Sequence, residues 1–155
     1  MQNENKKNFE NSIHSSVGYW ITLLARAMET DFENRLSKYS MTRASGAVLS
    51  AIHFDNKDTP SALSSFIGID GAAITRHLDR IEKEGLVKRI QNPQDRRSVI
   101  LKLTPKGARL VPKISAESQS TNTKFISTLT QPEIDTIQNI IKKMLVNADS
   151  VPDDI

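Results

Sequence analysis

The hydrophobic period of the sequence changes from that of a helix to that of a strand immediately after Gly85. Before this point apolar residues recur every three to four positions, whereas residues 86–90 and 98–103 alternate in the manner of two strands joined by a short loop. Two strands alone are only marginally stable in water, so this hairpin must pack against helices. The chain is therefore predicted to be mainly helical with one small β-hairpin.

The part of the chain before residue 70 is predicted to form three helices. A long first helix covers the segment from Phe9 to Tyr39, and a second helix begins after Thr42, whose hydroxyl can cap it. A polar loop ends in Pro60, and Ser61 is predicted to cap a short third helix.

Clear start and stop signals delimit the remaining helices. Asp70 is a good N-cap for a fourth helix over residues 71–84, and Gly85 stands where a left-handed residue commonly ends a helix. Thr104 caps a long fifth helix, and Thr130 caps a sixth. The predicted order is α-α-α-α-β-β-α-α, which is that of a winged helix-turn-helix fold.

The two faces of the predicted fourth helix differ in chemistry. Ile74, Leu78 and Ile81 fall on one stripe at about 100° per residue, and this stripe must face the core. The opposite face carries small and polar residues, which would let the start of the helix approach base edges in a DNA major groove. A plain surface helix would carry a similar face. The residues of this face are Ala72, Ala73, Thr75, Arg76, Asp79 and Arg80.

Positive charge is concentrated in the same part of the chain. Residues 76–109 hold ten basic and four acidic side chains, a local net charge of +6, while the formal net charge of the whole chain is +3. Arg96 and Arg97 lie at the tip of the hairpin loop, where guanidinium groups suit a narrow minor groove. A phosphate-facing surface requires such charge, although a charged run is more often only a solvated face.

Several segments resemble the MarR family of winged helix-turn-helix transcription regulators, and the resemblance covers roughly residues 12–147. Three of them look like that family's wing and the segment after it, one like its recognition helix and one like the opening of its first helix. In that order, the segments are Gly85–Arg89, Asn92–Ser98, Leu101–Gly107, Ile74–Glu82 and Val17–Trp20.

The resemblance implies a role for residues of the wing and of the helix-turn-helix. Arg97 is expected to enter the minor groove, Arg96 to lie beside the phosphates, and Asp95 to brace the wing. Asp79 is expected to pair with a basic residue at the base of the wing. Further phosphate contacts are expected from Ser61, Ser64 and Arg80.

The resemblance also implies a homodimer on a pseudo-palindromic operator. Residues 41–104 would form the winged helix-turn-helix DNA-binding domain, and residues 9–40 and 105–147 would form a helical dimerisation region from both termini. Apolar residues near the two ends have no other obvious place to bury in a chain this short. The predicted dimer contacts are Phe9, Ile13, Ile137, Ile141 and Met144.

Two positions depart from the family pattern. His77 stands where an aliphatic residue is usual, and we interpret it as a half-buried histidine that packs by its ring. Gly46 stands where an aromatic residue is frequent, at the junction of helices in which family members bind small phenolic and aromatic acids. The missing side chain is expected to open space there, or alternatively to permit closer helix packing.

An aromatic carboxylate needs a cation and a flat apolar slot, and the first two helices offer candidates for both. Arg26 and Arg43 are the candidate cations, unless they form surface salt bridges with Glu29 or Asp31. The other candidate ligand-binding residues are His14, Ser16, Trp20, Leu24, Gly46 and Ala47. Because Gly46 is expected to leave extra room, hydroxycinnamate-like acids are preferred over hydroxybenzoates.

The composition narrows the function classes. The chain has no cysteine, which excludes thiol catalysis and thiol redox sensing, and its isolated histidines do not predict a metal site. No nucleophile, base and acid set and no phosphate loop indicates an enzyme or a cofactor. With no export signal, a cytoplasmic protein is expected. The leading hypothesis is a repressor released by a small aromatic acid; the alternatives are an architectural DNA-binding protein and a winged-helix protein-interaction module without such an inducer.

Overall fold

The computed structural model describes residues 12–94 and 98–147. Its described part contains six α-helices and one antiparallel hairpin, in the predicted order. Short 3-10 turns, Ile13–Ser15 and Ser37–Tyr39, flank the first helix. The elements are α1 (Val17–Leu36), α2 (Arg43–Phe54), α3 (Pro60–Ile67), α4 (Gly71–Lys83), β1 (Val87–Gln91), β2 (Val99–Leu103), α5 (Pro105–Ile126) and α6 (Gln131–Leu145).

The side chains predicted to cap α2, α4 and α5 do so. Thr42 Oγ1 accepts a hydrogen bond from the backbone N–H of Ser45, and the Asp70 carboxylate accepts one from Ala73. Thr104 Oγ1 likewise accepts from the N–H of residue 107. Gly85 has a φ of +70°, as expected of the residue that follows α4.

The predicted N-cap of α3 lies two residues too late in the sequence. Pro60 occupies the first turn, and Thr59 precedes it as the N-cap, with its hydroxyl 3.3 Å from the N–H of Ala62. Proline suits the first helical position because its missing N–H needs no partner there. Ser61 therefore lies inside the helix, and its prediction as the cap is wrong.

The core lies where α2, α4, α5 and the hairpin meet. Leu78 and Ile81 of α4 are buried there together with Ile74, which confirms the predicted inner stripe of that helix. Other fully buried members of this core are Leu36, Val48, Leu49, Leu63, Leu101, Val111 and Ile114. Because Ile74, Leu78 and Ile81 are buried, the opposite face of α4 is turned to solvent.

The hairpin is held to the helical body at both of its strands. β1 and β2 pair in register with Val87 opposite Leu103, and the N–H of Leu101 donates to the carbonyl of Asp58 at 2.7 Å. At its base, the start of α5 packs so closely that a Cβ at Gly107 would overlap the carbonyl oxygen of Leu86. The wing therefore has a fixed orientation relative to α5.

No helix in the two described ranges is long and apolar enough to cross a membrane.

Candidate nucleic-acid interface

A tight turn between α3 and α4 sets the direction of α4. Gly68 ends α3 with a φ of +72°, a conformation that costs glycine nothing. The hydroxyl of Ser64 donates to the carbonyl of Ile69 at 2.6 Å and so holds the turn from within α3. Ser64 therefore stabilises the turn, a structural role that its prediction as a phosphate contact did not include.

The first two turns of α4 present the predicted outward face to solvent. Ala72, Thr75 and Arg76 are exposed, and Ala73 is half-buried. The hydroxyl of Thr75 donates to the carbonyl of Gly71 at 2.9 Å. The side chain of Arg76 forms no ion pair or hydrogen bond with any residue that the structure describes, so none of its donors is engaged within that part of the chain.

Arg80, two turns further along α4 than Ala73, is held by the protein itself. Its Nη2 donates to the carbonyl of Ser40 at 2.9 Å, and its Nε lies 3.2 Å from Oε1 of Glu84. Arg80 thus joins the end of α4 to the turn between α1 and α2. Two of its donors thus have partners within the protein, and the phosphate contact predicted for Arg80 stays a prediction that would use the remaining donors.

Ser61, the other predicted phosphate contact of α3, is exposed, and its hydroxyl lies 3.4 Å from that of Thr59. Its prediction is compatible with this position. The predicted wing-tip residues Asp95, Arg96 and Arg97 lie outside the described residues.

A cluster of charges joins α4 to the wing. Arg89 of β1 places Nη1 2.6 Å from the Asp79 carboxylate and 3.3 Å from that of Glu82. Its Nη2 also lies 3.5 Å from the carbonyl of Thr75, and Glu82 accepts the backbone N–H of Arg89 at 3.1 Å. The pairing of Asp79 with a basic residue at the base of the wing is thus present. Glu82 was missed, although its spacing of three residues from Asp79 places both carboxylates on one side of the helix.

His77 faces α2 from the side of α4. Its Nδ1 lies 3.3 Å from Oγ of Ser45, a fully buried hydroxyl that also receives a hydrogen bond from Thr42. The histidine is half-buried, as expected, but it is placed by a polar contact as well as by ring packing. This contact links α4 to the start of α2.

A cavity of about 330 Å³ opens between α1, α2 and α5. Met28 and Phe32 give it an apolar wall, and Arg43 reaches it from α2. The guanidinium group of Arg43 lies 2.9 Å from the Glu29 carboxylate, which is the salt bridge that the sequence left open as an alternative. The cavity is large enough for a small aromatic acid, with Arg43 as the available cation.

Most of the predicted ligand residues lie elsewhere. Ser16, Trp20, Leu24 and Arg26 occupy the N-terminal half of α1 and its cap and do not line this cavity, nor does Ala47. The carbonyl of His14 accepts the indole N–H of Trp20 at 2.7 Å.

Gly46 does not open a space. It is buried, and a Cβ there would come within 3.3 Å of Ile114 and 3.6 Å of Leu36. The expectation of extra room is therefore wrong. The absent side chain instead permits α2 and α5 to approach closely, so the preference for longer acids loses its basis.

An unusual amount of apolar surface is exposed near both ends of the described chain. Ile13 is 66% exposed and Trp20 55% exposed, and α6 exposes Ile137, Ile141 and Met144 at 42–44%. Residue Phe9, also predicted to contact a partner, lies outside the described residues. Large exposed apolar patches are uncommon on monomeric proteins and mark interaction surfaces.

A short helix, a glycine turn, a second helix with an exposed arginine and a hairpin bound to that helix define a winged helix-turn-helix protein. The MarR family model matches residues 41–99. The multiple antibiotic resistance protein MarR of Escherichia coli K12 is 34% identical over 130 residues, which are 83% of this chain and 90% of that protein. The chain belongs to the MarR family of transcriptional regulators.

Two further comparisons agree with this assignment. MarR of Salmonella typhimurium is 31% identical over 130 residues, with the same coverage of both chains. The crystal structure of a mutant E. coli MarR complexed with operator DNA superposes with a TM-score of 0.78 at 30% identity. The match covers 88% of this chain and 97% of that one.

Proposed function

We propose that this regulator is a repressor that binds a pseudo-palindromic operator as a homodimer and leaves it when a small aromatic acid binds. The observation that carries DNA binding is the outward face of α4. Arg76 is exposed there without a partner among the described residues, behind a first turn of small side chains. An arginine in this state can bind guanine through two hydrogen bonds in the major groove.

The Arg89 cluster supports the same proposal. Asp79 and Glu82 hold the base of the wing against α4, so that helix and hairpin would meet DNA in one orientation. The related E. coli MarR mutant was crystallised with operator DNA, which is the activity we propose for this chain.

A gel-shift titration over a series of salt concentrations tests DNA binding. The probes are the DNA upstream of the protein's own gene and a random duplex of the same length. We expect the upstream DNA to be bound at least a thousandfold more tightly, as is typical of specific sites. Equal affinity for both probes would indicate an architectural protein, and no binding at any salt concentration would indicate a protein-interaction module.

The exposed apolar residues of α6, together with Ile13, support the homodimer. Ile137, Ile141 and Met144 recur at intervals of four and three, so they share one side of the helix. A second copy of the chain would bury this side and would place two α4 helices about 34 Å apart, one turn of DNA.

The cavity between α1, α2 and α5 supports the proposed inducer. Its apolar wall would take an aromatic ring, and Arg43 would exchange Glu29 for the carboxylate of the ligand. The cavity joins helices assigned to dimerisation to one assigned to DNA binding, so a ligand there would favour one spacing of the α4 helices. It can weaken operator binding only by its differential affinity for the two spacings, typically 5–150-fold, or about 1–3 kcal/mol.

Operator affinity with and without millimolar salicylate tests the inducer. Arg43→Gln should abolish the response and leave affinity without ligand within about twofold. Arg26→Gln is the matched control, since Arg26 lies on α1 outside the cavity, and it should respond as the unchanged protein does. A full response in Arg43→Gln would remove the cavity from the proposal without affecting DNA binding.

A further inference from the structure

A second cavity lies at the C-terminal end of α4. Its lining residues belong neither to the face of α4 proposed to bind DNA nor to the cavity that contains Arg43. It measures about 550 Å³ and lies between the turn after α1, the end of α4 and the first three turns of α5. It shares no lining residue with the first cavity. Glu84 on its rim is eight residues beyond Arg76, a distance of about 12 Å along the helix axis.

Three cations of α5 line this cavity without a carboxylate partner among the described residues. They are Lys106, Arg109 and Lys113, and their spacing of three and four residues places them on one side of the helix. Lys106 donates only to a backbone carbonyl, that of Glu84, at 2.8 Å. Like charges at this spacing repel each other, and an anion between them would remove the repulsion.

The carboxylates of Glu84, which lines the cavity, and of Glu117 on α5 have other partners. The Glu84 carboxylate pairs with Arg80 at 3.2 Å. Glu117, four residues beyond Lys113, pairs with Lys38 at 2.6 Å and lies 3.8 Å from Arg35. The cavity therefore keeps a surplus of positive charge that the described part of the protein does not neutralise.

The other lining residues are Ser40, Glu84 and three with apolar or aromatic side chains. Leu86 is buried at its base, Leu110 is half-buried, and Tyr39 contributes a half-buried ring. A ligand that matches both the three cations and the apolar lining residues would carry at least two negative charges and an aromatic or apolar body. A ligand with one carboxylate would leave most of the positive charge uncompensated.

We propose that the cavity beside Tyr39, Arg109 and Lys113 is a second ligand site, for small aromatic anions with two or more negative charges. It is separate from the inducer cavity and rests on geometry that the inducer proposal does not use. Aromatic phosphates and aromatic dicarboxylates share the chemistry that the site requires.

Isothermal titration calorimetry of the full chain tests the site with three probes: phenyl phosphate, phthalate and, as a monoanion, benzoate. We expect at least one dianion to bind tenfold or more tightly than benzoate, and the stronger of the two shows whether phosphate or carboxylate is preferred. Arg109→Gln with Lys113→Gln should weaken that dianion at least tenfold. Lys142→Gln with Lys143→Gln removes the same charge from exposed positions of α6 and should change nothing.

Two further measurements separate this site from the others. Arg43→Gln should leave dianion binding unchanged. In the absence of any ligand, Arg109→Gln with Lys113→Gln should leave operator affinity unchanged. The proposal is overturned if neither dianion binds more tightly than benzoate, if both double variants weaken the dianion equally, or if the α5 cations prove to be needed for DNA.

Discussion

At the scale of single residues, two arginines of α4 that look alike in sequence have different surroundings. Arg76 has no partner among the described residues, whereas Arg80 is bound to Ser40 and Glu84. Arg89, eight residues before Arg97, is bound still more firmly, by two carboxylates and a carbonyl. The same side chain thus links elements of the fold at two of these positions and is exposed, without a described partner, at the third.

Arg76→Ala should relax base preference at one position of each half-site. The lost bidentate contact is worth about 1–3 kcal/mol of discrimination against the wrong base. A panel of operator duplexes with single substitutions, measured at one salt concentration, would show this change. Arg97→Ala should instead weaken binding to most sequences and lower the salt slope by about one phosphate. Equal losses for both variants on every duplex would contradict this division of roles.

Gly46→Phe should destabilise the fold. The ring would have to enter a place where even a Cβ comes within 3.3 Å of Ile114, and overpacking of this kind costs about 1–3 kcal/mol. Urea denaturation of this variant, with Ala47→Phe at a half-buried neighbouring position for comparison, would measure the loss. An unchanged midpoint for Gly46→Phe would show that α2 and α5 can separate without cost.

At the scale of elements, α1 and α5 are joined by an ionic cluster. Asp31 accepts hydrogen bonds from Arg35 and Thr121, at 2.6 and 2.9 Å, and from Lys124. The hydrogen bond from Arg35, followed by those from Lys124 and Thr121, holds the pKa of Asp31 well below its usual range. The hydrogen bond from Lys38, in the 3-10 turn that follows α1, likewise lowers the pKa of Glu117 on α5.

The Asp31 cluster should make stability depend on pH in the acid range. A carboxyl group whose pKa is lower in the folded state contributes stability above its unfolded pKa, which is lost as pH falls through the folded value. Asp31→Asn should therefore lower Tm at pH 7, and its difference from the unchanged protein should shrink as pH falls below ~4. Asp135→Asn, on the exposed side of α6, is the control. A difference that stays constant down to pH 2 would contradict the proposed ionic origin.

The caps and the buried faces of the helices could be predicted from the sequence, because they depend on residues that are close together in the chain. The caps Thr42, Asp70 and Thr104 act within three residues, and the burial of Ile74 and Leu78 follows from helical periodicity. Cavities and long-range partners were not predictable, because they depend on how separate elements pack. The contact between Ile114 and the position of Gly46 and the hydrogen bond from Arg80 to Ser40 both join residues that are 40 or more positions apart.

At the scale of the whole molecule, most of the exposed large apolar side chains lie near the two ends of the described chain. The N-terminal half of α1 and the outer side of α6 carry this surface. The proposed homodimer would cover it and would fix the distance between the two reading helices.

Ile137→Asp together with Ile141→Asp should produce a monomer that no longer binds the operator tightly. Each substitution places a charge in the apolar stripe of α6 that the partner is proposed to cover. Sedimentation velocity would measure the oligomeric state, with Gln138→Asp and Asn139→Asp as a control that adds the same charge at exposed positions of the same helix. A dimeric profile for the isoleucine variant would place the interface elsewhere.

The contacts at the base of the wing have a consequence for the order of folding. The carbonyl of Leu86 accepts the backbone N–H of Thr104 at 3.0 Å and its hydroxyl at 3.3 Å, across 18 residues, whereas Asp31 meets Thr121 across 90. Short loops close at a lower entropic cost than long ones, so we expect the hairpin and the start of α5 to form before α1 docks. In stopped-flow kinetics, Thr104→Ala should mainly slow refolding, and Asp31→Asn should mainly speed unfolding. The opposite assignment would mean that α1 docks early and that the wing assembles last.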